Sequence, residues 1–217
     1  VVAAANPQPR TGFIDRAVVA AYDAGIEPIL CVTKTDIRHP QELLDYYQRS
    51  GLRIVLSAAS DGRAPSEEGA EGLTTGPVRE LLGDLLGNVS VLLGHSGVGK
   101  STLVNALTGA ERATGHVNSV TGRGRHTSSS ALALQPASDA GVEVPPGTWI
   151  IDTPGIRSFG LAHVSMQKVV EAFPDLAPGA VECPRGCTHT GDSSGCGITA
   201  YVAHGEAGPS GADRLAS

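Results

Sequence analysis

Aromatic residues are scarce in this sequence, at 4%: one Trp, four Tyr and three Phe. A surface that binds single-stranded nucleic acid by stacking bases on successive rings is therefore excluded as the main activity. Basic charge is in deficit, with 16 Lys and Arg against 22 Asp and Glu, a formal net charge of −6. That excludes a broadly basic nucleic-acid coat, though not a local patch. No apolar run comes near the ~20 residues that a membrane-spanning helix needs, and no secretory leader is visible. There are only four cysteines, too clustered for a disulfide framework spread along the chain. Gly and Pro number 28 and 14 of 217 residues. Together they stay below the ~25–30% of low-complexity chains, so the glycines read as loops of a globular protein. The first residue is Val1 rather than Met, so a fragment lacking its true N-terminus is expected.

What is present alternates between short apolar runs and amphipathic stretches. VVAAAN at the start reads as a strand. Phe13, Ile14, Ala17, Val18 and Ala21 then recur at helical spacing, with Gly25 as a stop signal. PILCVT, residues 28–33, suits a buried parallel strand. A helix over 40–50, a strand RIVLSA, a helix over 78–86 and a strand over 89–93 follow. Residues 61–76 have no period and read as a surface loop; residues 113–130 are polar and glycine-bearing. A helix over 99–109 and strands at 131–134 and 149–151 complete the pattern. Strands alternating with helices predict an α/β fold, a mostly parallel sheet with helices on both faces. From about His163 the pattern changes to a short helix, a Cys/His loop and a weak helix. Two domains are expected, 1–162 and 163–217.

The strongest motif is Gly94-His95-Ser96-Gly97-Val98-Gly99-Lys100-Ser101, a GxxxxGK[ST] loop between the apolar run VSVLL and the helical STLVNALTG. Glycines let successive backbone N–H groups turn toward phosphates, and the helix N-terminus adds its positive end. Lys100 supplies a point charge, Ser101 a hydroxyl for Mg²⁺, and Thr102 continues the helix start. His95 reads as a variable loop position. Downstream, WIIDTPG ends an apolar run in Asp152-x-x-Gly155. Asp152 suits a metal's water shell, and Gly155 can offer its N–H to a γ-phosphate; Asp-Thr-Pro-Gly is also good turn chemistry.

The strand PILCV ends in Thr33-Lys34-Thr35-Asp36. A carboxylate there can accept from both N1–H and the 2-amino group of guanine, donors that adenine does not pair in this way. Lys34 can lay its stem along the nucleotide. Equally, the two charges can cap a loop-to-helix turn. RIVL ends in Ser57-Ala58-Ala59, small enough to let backbone N–H groups approach a base oxygen.

Cys183, Cys187, His189 and Cys196 form a C-x₃-C-x-H-x₆-C cluster. Three thiolates and an imidazole suit a closed, structural, tetrahedral Zn²⁺ site with no open catalytic position. Reduced thiols of this kind point to a cytoplasmic setting. Cys31 lies alone in an apolar strand and reads as core.

TKTD, SAA, GHSGVGKS, the Thr127 region and DTPG resemble the five motifs of a translation-factor-class GTPase, with the base-reading motifs first and the phosphate motifs second. With the cysteine cluster, the chain resembles the circularly permuted ribosome-biogenesis GTPases of the RsgA (YjeQ) family from Val1 to about Tyr201. Close surface termini make such a permutation physically plausible. The resemblance implies a P-loop NTPase fold followed by a zinc-binding helical unit. It also implies GTP/GDP and Mg²⁺ binding, with Ser101, Thr127 and Asp152 (through water) at the magnesium. The implied activity is GTP hydrolysis by a late-stage assembly factor that binds the small ribosomal subunit and its rRNA in the GTP state. Such a protein would be monomeric, cytoplasmic and free of membranes. The family's usual Asn stands as Thr33 here, and its zinc spacing is C-x₄-C-x-H-x₅-C. Its N-terminal OB-fold has no counterpart in this sequence.

Ras-like enzymes place a water-orienting Gln after the DxxG glycine; here that residue is Ile156. The segment Gly122-Arg123-Gly124-Arg125-His126-Thr127 is the candidate source of a substitute. The resemblance implies Thr127 as the switch threonine and His126 as the catalytic group, since GRHT is similar to the family's GxHT. Arg123 and Arg125 suit either charge stabilisation or RNA contact. Two other classes compete: a P-loop ATPase or nucleotide kinase, against which TKTD speaks, and a nucleotide-dependent RNA-binding switch with another ribonucleoprotein target. For a purely RNA-binding C-terminal module the charges are wrong. Lys168, Arg185 and Arg214 face Glu171, Asp175, Glu182, Asp192, Glu206 and Asp213.

Overall fold

The computed structural model describes residues 1–58, 76–110, 130–137, 142–156, 160–189 and 193–216. Six strands are described: β1 (Val2–Ala4), β2 (Ile29–Thr33), β3 (Arg53–Leu56), β4 (Val89–Leu92), β5 (Leu132–Leu134) and β6 (Trp149–Asp152). They form two three-stranded ladders, β1-β2-β3 and β4-β6-β5. β1 runs parallel to β2 and β4 parallel to β6, while β5 is antiparallel to β6. The Val2 N–H donates to Leu93 O at 2.6 Å and bridges the two ladders.

The chain divides into two compact units that interleave in sequence. The first comprises Val1–Pro9, Ile29–His39 and Ile54–Phe159, and the second Arg10–Pro28, Pro40–Arg53 and Gly160–Ser217. In the first unit, helices α3 (Pro77–Leu85) and α4 (Lys100–Thr108) pack on the sheet. Pro77 opens α3, where its missing N–H costs nothing. Val78, Leu81, Leu82 and Leu85 fall on one face of α3 and meet Leu103, Val104 and Leu107 of α4. Both sets close over Val2, Cys31, Val55, Leu92 and Ile150 from five strands. Cys31 is thus a core residue, and burial pushes its thiol up to about 12.

The second unit brings together α1 (Thr11–Asp23), α2 (Gln41–Tyr47), α5 (Met166–Glu171), α6 (Ala177–Ala180), α7 (Gly197–Ala203) and α8 (Gly211–Ala216). Val19 of α1 shares an apolar cluster with Val170, Phe173, Leu176 and Ile198. Ser165 caps α5 by accepting from the Lys168 N–H. Polar groups complete the packing. Asp15 on α1 is buried and accepts hydrogen bonds from Tyr46 and Tyr47 on α2, at 2.9 and 2.7 Å. Burial raises the Asp15 carboxyl, and the two phenols oppose that shift. Arg214 is also buried and pairs with Asp175. Two of the charges counted in the acidic balance of the C-terminal third therefore lie inside. A fully exposed arginine and a buried one have the same letter; only the aromatic cage around Arg214 distinguishes them. No described helix is long and apolar enough to cross a membrane.

Candidate functional site

The loops that leave the C-terminal ends of β2, β3, β4 and β6 carry the sequence motifs, as expected of ligand sites in parallel α/β sheets. Parallel pairing sets Leu92 opposite Asp152, so the loop after β4 and the turn after β6 depart at the same level. Residues 94–101 curl between β4 and α4. Gly99 takes a φ of +88°, a left-handed conformation that suits glycine, and hands the chain to α4. Lys100 opens that helix with its side chain buried. Its Nζ donates to Thr153 O at 2.6 Å and lies 3.3 Å from Asp152 Oδ1. Ser101 is half-buried and Thr102 exposed on the first turn.

The turn after β6 is bonded to the end of β4 and to this loop, and approaches the loop closely at a third point. Thr153 Oγ1 donates to Leu92 O at 2.7 Å. The Ile156 N–H donates to Gly94 O at 3.2 Å. A Cβ on Gly155 would stand 2.9 Å from Ser96 N and 3.1 Å from Ser96 Cα. Backbone that close cannot yield cheaply, so only glycine leaves this cradle open.

The Thr33–Asp36 loop joins from the other side. Thr33 Oγ1 donates to Val98 O at 2.5 Å and sits 3.3 Å from Ala3 O. A Cβ on Gly99 would come within 3.2 Å of the same hydroxyl. Lys34 has a φ of +59°, and its Nζ donates to Gly97 O at 2.9 Å. Thr35 binds Ser57 O through both its N–H, at 3.2 Å, and its hydroxyl, at 3.1 Å. Ser57 is buried, Ala58 half-buried and Asp36 exposed beyond the braced residues. Thr33, Lys34, Thr35, Ser57, the 94–101 loop, Asp152 and Gly155 are thus brought together by direct contacts. His95 is a half-buried member of the loop. His126 and Thr127, like Ala59, Arg123 and Arg125, lie outside the described residues.

The cysteine cluster forms a second site, in the second unit. Cys183, Cys187, His189 and Cys196 place their four ligand atoms within 4.8 Å of one another. Cys183 Sγ lies 3.5 Å from His189 Nδ1 and 3.9 Å from Cys196 Sγ, which is 3.9 Å from the same nitrogen. Tetrahedral zinc with bonds of about 2.3 Å to sulfur and 2.0–2.1 Å to nitrogen sets S···S near ~3.8 Å and S···N near ~3.6 Å. The donor set and its spacing fit such an ion. The Gly197 N–H donates to Cys183 Sγ at 3.2 Å, a contact that supports a thiolate. Burial raises the Cys183 thiol. Burial also acts to raise Cys196, but hydrogen bonds from Thr199 and His189 outweigh it and lower that thiol to about 6. The longer and shorter gaps between ligands do not prevent closure. Gly186 and Gly195 turn the chain on either side.

The model of the RsgA GTPase family matches residues 1–162. The chain belongs to that family. It is 35% identical to the "Small ribosomal subunit biogenesis GTPase RsgA" of Pseudomonas aeruginosa (strain LESB58), over 100% of the chain and 59% of that protein. It is 31% identical to "Small ribosomal subunit biogenesis GTPase RsgA 1" of Vibrio vulnificus (strain YJ016), over 95% of the chain and 54% of that relative. The chain thus spans little more than half the length of these curated relatives. Among solved structures it resembles YjeQ from Thermotoga maritima, with a TM-score of 0.65 and 25% identity over 99% of the chain and 67% of the other. It also shares the fold of YloQ, described as a circularly permuted GTPase, with a TM-score of 0.63 over 100% of the chain and 64% of the other. The expected α/β, circularly permuted P-loop architecture is therefore correct, and the Cys₃His cluster is consistent with a zinc-binding unit.

Sequence reasoning missed Thr153 within the DTPG turn and the second function of Thr33. A hydroxyl one residue past a strand end is the signal that marks Thr153. Thr33 stands where the family has Asn, and its hydroxyl also braces its own loop against the 94–101 loop. Thr33→Val keeps the shape and removes the donor to Val98 O. Unfolding in urea should show a loss of about 0.5–1.5 kcal/mol, with the slope unchanged.

Proposed function

We propose that this RsgA-family chain is the GTP-hydrolysing part of a late-stage assembly factor of the small ribosomal subunit. It binds the subunit and its rRNA in the GTP state and leaves on hydrolysis. The observation that carries the reading is the bracing of the Thr33–Asp36 loop against the 94–101 loop through Thr33–Val98 and Lys34–Gly97. A base-reading segment and a phosphate-binding segment joined in this way form one nucleotide site, although they lie in permuted chain order. The curated relatives named for small-subunit biogenesis support the target. We assign residues 1–162 to a GTPase domain and 163–217 to a zinc-binding domain, in a cytoplasmic monomer.

In this reading Asp36 accepts from N1–H and the 2-amino group of guanine, while Lys34 flanks the nucleotide. Thr35, Ser57 and Ala58 shape the base side. The backbone N–H groups of residues 94–101 face the phosphates, with His95 and Thr102 at the rim. Lys100 exchanges its contacts with Asp152 and Thr153 for phosphate oxygens. Ser101 and Thr127, with Asp152 through water, would hold Mg²⁺, which supplies charge neutralisation at the phosphates. Gly155 presents its N–H to the γ-phosphate, with no Cβ to displace Ser96. The side chain of Ile156 is apolar, so His126 orients the attacking water as Thr127 closes. Cys183, Cys187, His189 and Cys196 hold one structural Zn²⁺.

Asp36→Asn replaces an acceptor with an amide donor opposite the base's 2-position. Binding should shift from guanine toward xanthine nucleotides in competition assays; an unchanged GTP preference refutes the base assignment. A gently purified sample should contain about one zinc per chain by elemental analysis. Cys187→Ser should lower that content and destabilise the second unit while nucleotide binding persists. His126→Ala should reduce subunit-stimulated turnover by about 10²–10⁴-fold, with kcat and kcat/KM falling together. Subunit binding with a non-hydrolysable analogue should remain intact. Wild-type stimulated turnover in that variant would place the water-orienting group elsewhere.

A further inference from the structure

The turn that follows β6 reads Asp152-Thr153-Pro154-Gly155-Ile156. Pro154 has no N–H to offer, and its ring fixes one backbone angle. The Gly155 N–H is the donor assigned above to the γ-phosphate, so it cannot also anchor the turn. Two other donors do that. The Thr153 hydroxyl donates to Leu92 O at 2.7 Å, and the Ile156 N–H donates to Gly94 O at 3.2 Å. Both acceptors lie on the short stretch where β4 passes into the 94–101 loop. Gly155 is thus held between two bonds, over the backbone of Ser96, which a Cβ would meet at 2.9 Å. The carbonyl of Thr153 accepts from Lys100 Nζ at 2.6 Å, so this one residue touches the phosphate-loop side at two places.

We propose that Thr153 is a positioning residue for recognition of the γ-phosphate. Its hydroxyl fixes the leading end of the turn and so sets where the Gly155 N–H meets the third phosphate. The proposal rests on the reading that Gly155 donates to that phosphate. A hydroxyl that served only the turn would bond its own backbone a residue or two away. This one crosses to another strand, 61 residues distant. Between the two anchors stand a stiff residue and a loose one. A glycine backbone rotates freely, so the direction of its N–H is imposed by its neighbours. Pro154, with one soft angle fewer, passes the position of Thr153 on to Gly155. Without the Thr153 anchor, the Ile156 bond holds only the trailing end. GDP has no third phosphate. Its two phosphates call on the N–H groups of residues 94–101 and on Lys100, which keeps Asp152 and its place in the first turn of α4. The Thr153 hydroxyl therefore bears on GTP far more than on GDP.

The test is the ratio of affinities for β,γ-imido-GTP and GDP, measured by competition against a fluorescent GDP on the 217-residue chain. Thr153→Val keeps the shape and removes the donor. It should shift the ratio toward GDP by about three- to tenfold, the worth of one hydrogen bond, with GDP affinity near wild type. Thr153→Ser keeps the oxygen and should keep the wild-type ratio. Thr153→Ala removes the same donor without the branched side chain, and it serves as the test if Thr153→Val does not fold. A wild-type ratio in whichever of these two variants is folded overturns the proposal. An equal loss of both affinities, the mark of a purely structural hydroxyl, overturns it too. Gly155→Ala separates the two readings, because its Cβ forces the turn away from Ser96. If it leaves the ratio intact, the γ-phosphate assignment fails and the proposal falls with it. If it shifts the ratio toward GDP while Thr153→Val and Thr153→Ala do not, only the positioning role is lost.

Discussion

The parallel ladder between β4 and β6 pairs Leu92 with Asp152, and the arrangement of the first unit's site follows from that register. A slip of one residue would turn the side chains of β6 to the opposite faces of the sheet. Ile150 would leave the core that it shares with Leu82, Leu92 and Leu107, and Asp152 would lose its place beside Lys100. The apolar packing of α3 and α4 on the sheet therefore determines where the loop after β4 meets the turn after β6. Non-directional burial positions directional groups: the core selects the register, and the register sets the distances between polar atoms.

Those polar atoms are then matched with little left to water. Lys100 and Asp152 are both buried, and an isolated buried charge is costly. The Thr153 carbonyl, held in turn by the Thr153 hydroxyl on Leu92 O, gives Lys100 a second partner. On the other side, Thr33 and Lys34 each donate to a carbonyl of the 94–101 loop. A loop rich in glycine loses much conformational freedom on ordering. Side-chain donors from β2 and backbone contacts from the β6 turn restrain it from both sides. This is a pre-organised arrangement built from threonine and lysine donors on backbone carbonyls.

The second unit follows a different principle. Its apolar cluster is modest, with Val19, Val170, Phe173, Leu176 and Ile198 at the centre. Directional contacts complete it: the Cys₃His cluster at one place and the Asp15–Tyr46–Arg214–Asp175 network at another. Lys168 with Asp23, and Arg49 with Glu206 O, add exposed contacts between segments far apart in the chain. Exposed pairs of this kind are worth little singly. The buried network is different, since removing one partner of a buried pair typically costs about 3–5 kcal/mol.

Much of this was legible in the linear sequence, for reasons that can be traced to particular residues. GxxxxGKS between an apolar run and a helical one determined a loop, a strand and a helix, because local φ preferences and hydrophobic period act over a few residues. DTPG, TKTD and the Cys₃His spacing marked the other pieces, and together they determined the family and the α/β class. What only the tertiary structure decided was which groups meet. Neither the spacing of Thr33 and Val98 nor their types reveals a hydrogen bond across 65 residues. In the sequence, Arg214 and Asp175 are two charges in the balance of the C-terminal third, with nothing to mark them as partners. Their burial depends on Tyr46, Tyr47 and Phe173 arriving from distant segments. Local sequence sets the conformations that a segment prefers; the pairing of buried polar groups is settled only when long-range packing brings their partners within reach and water is removed.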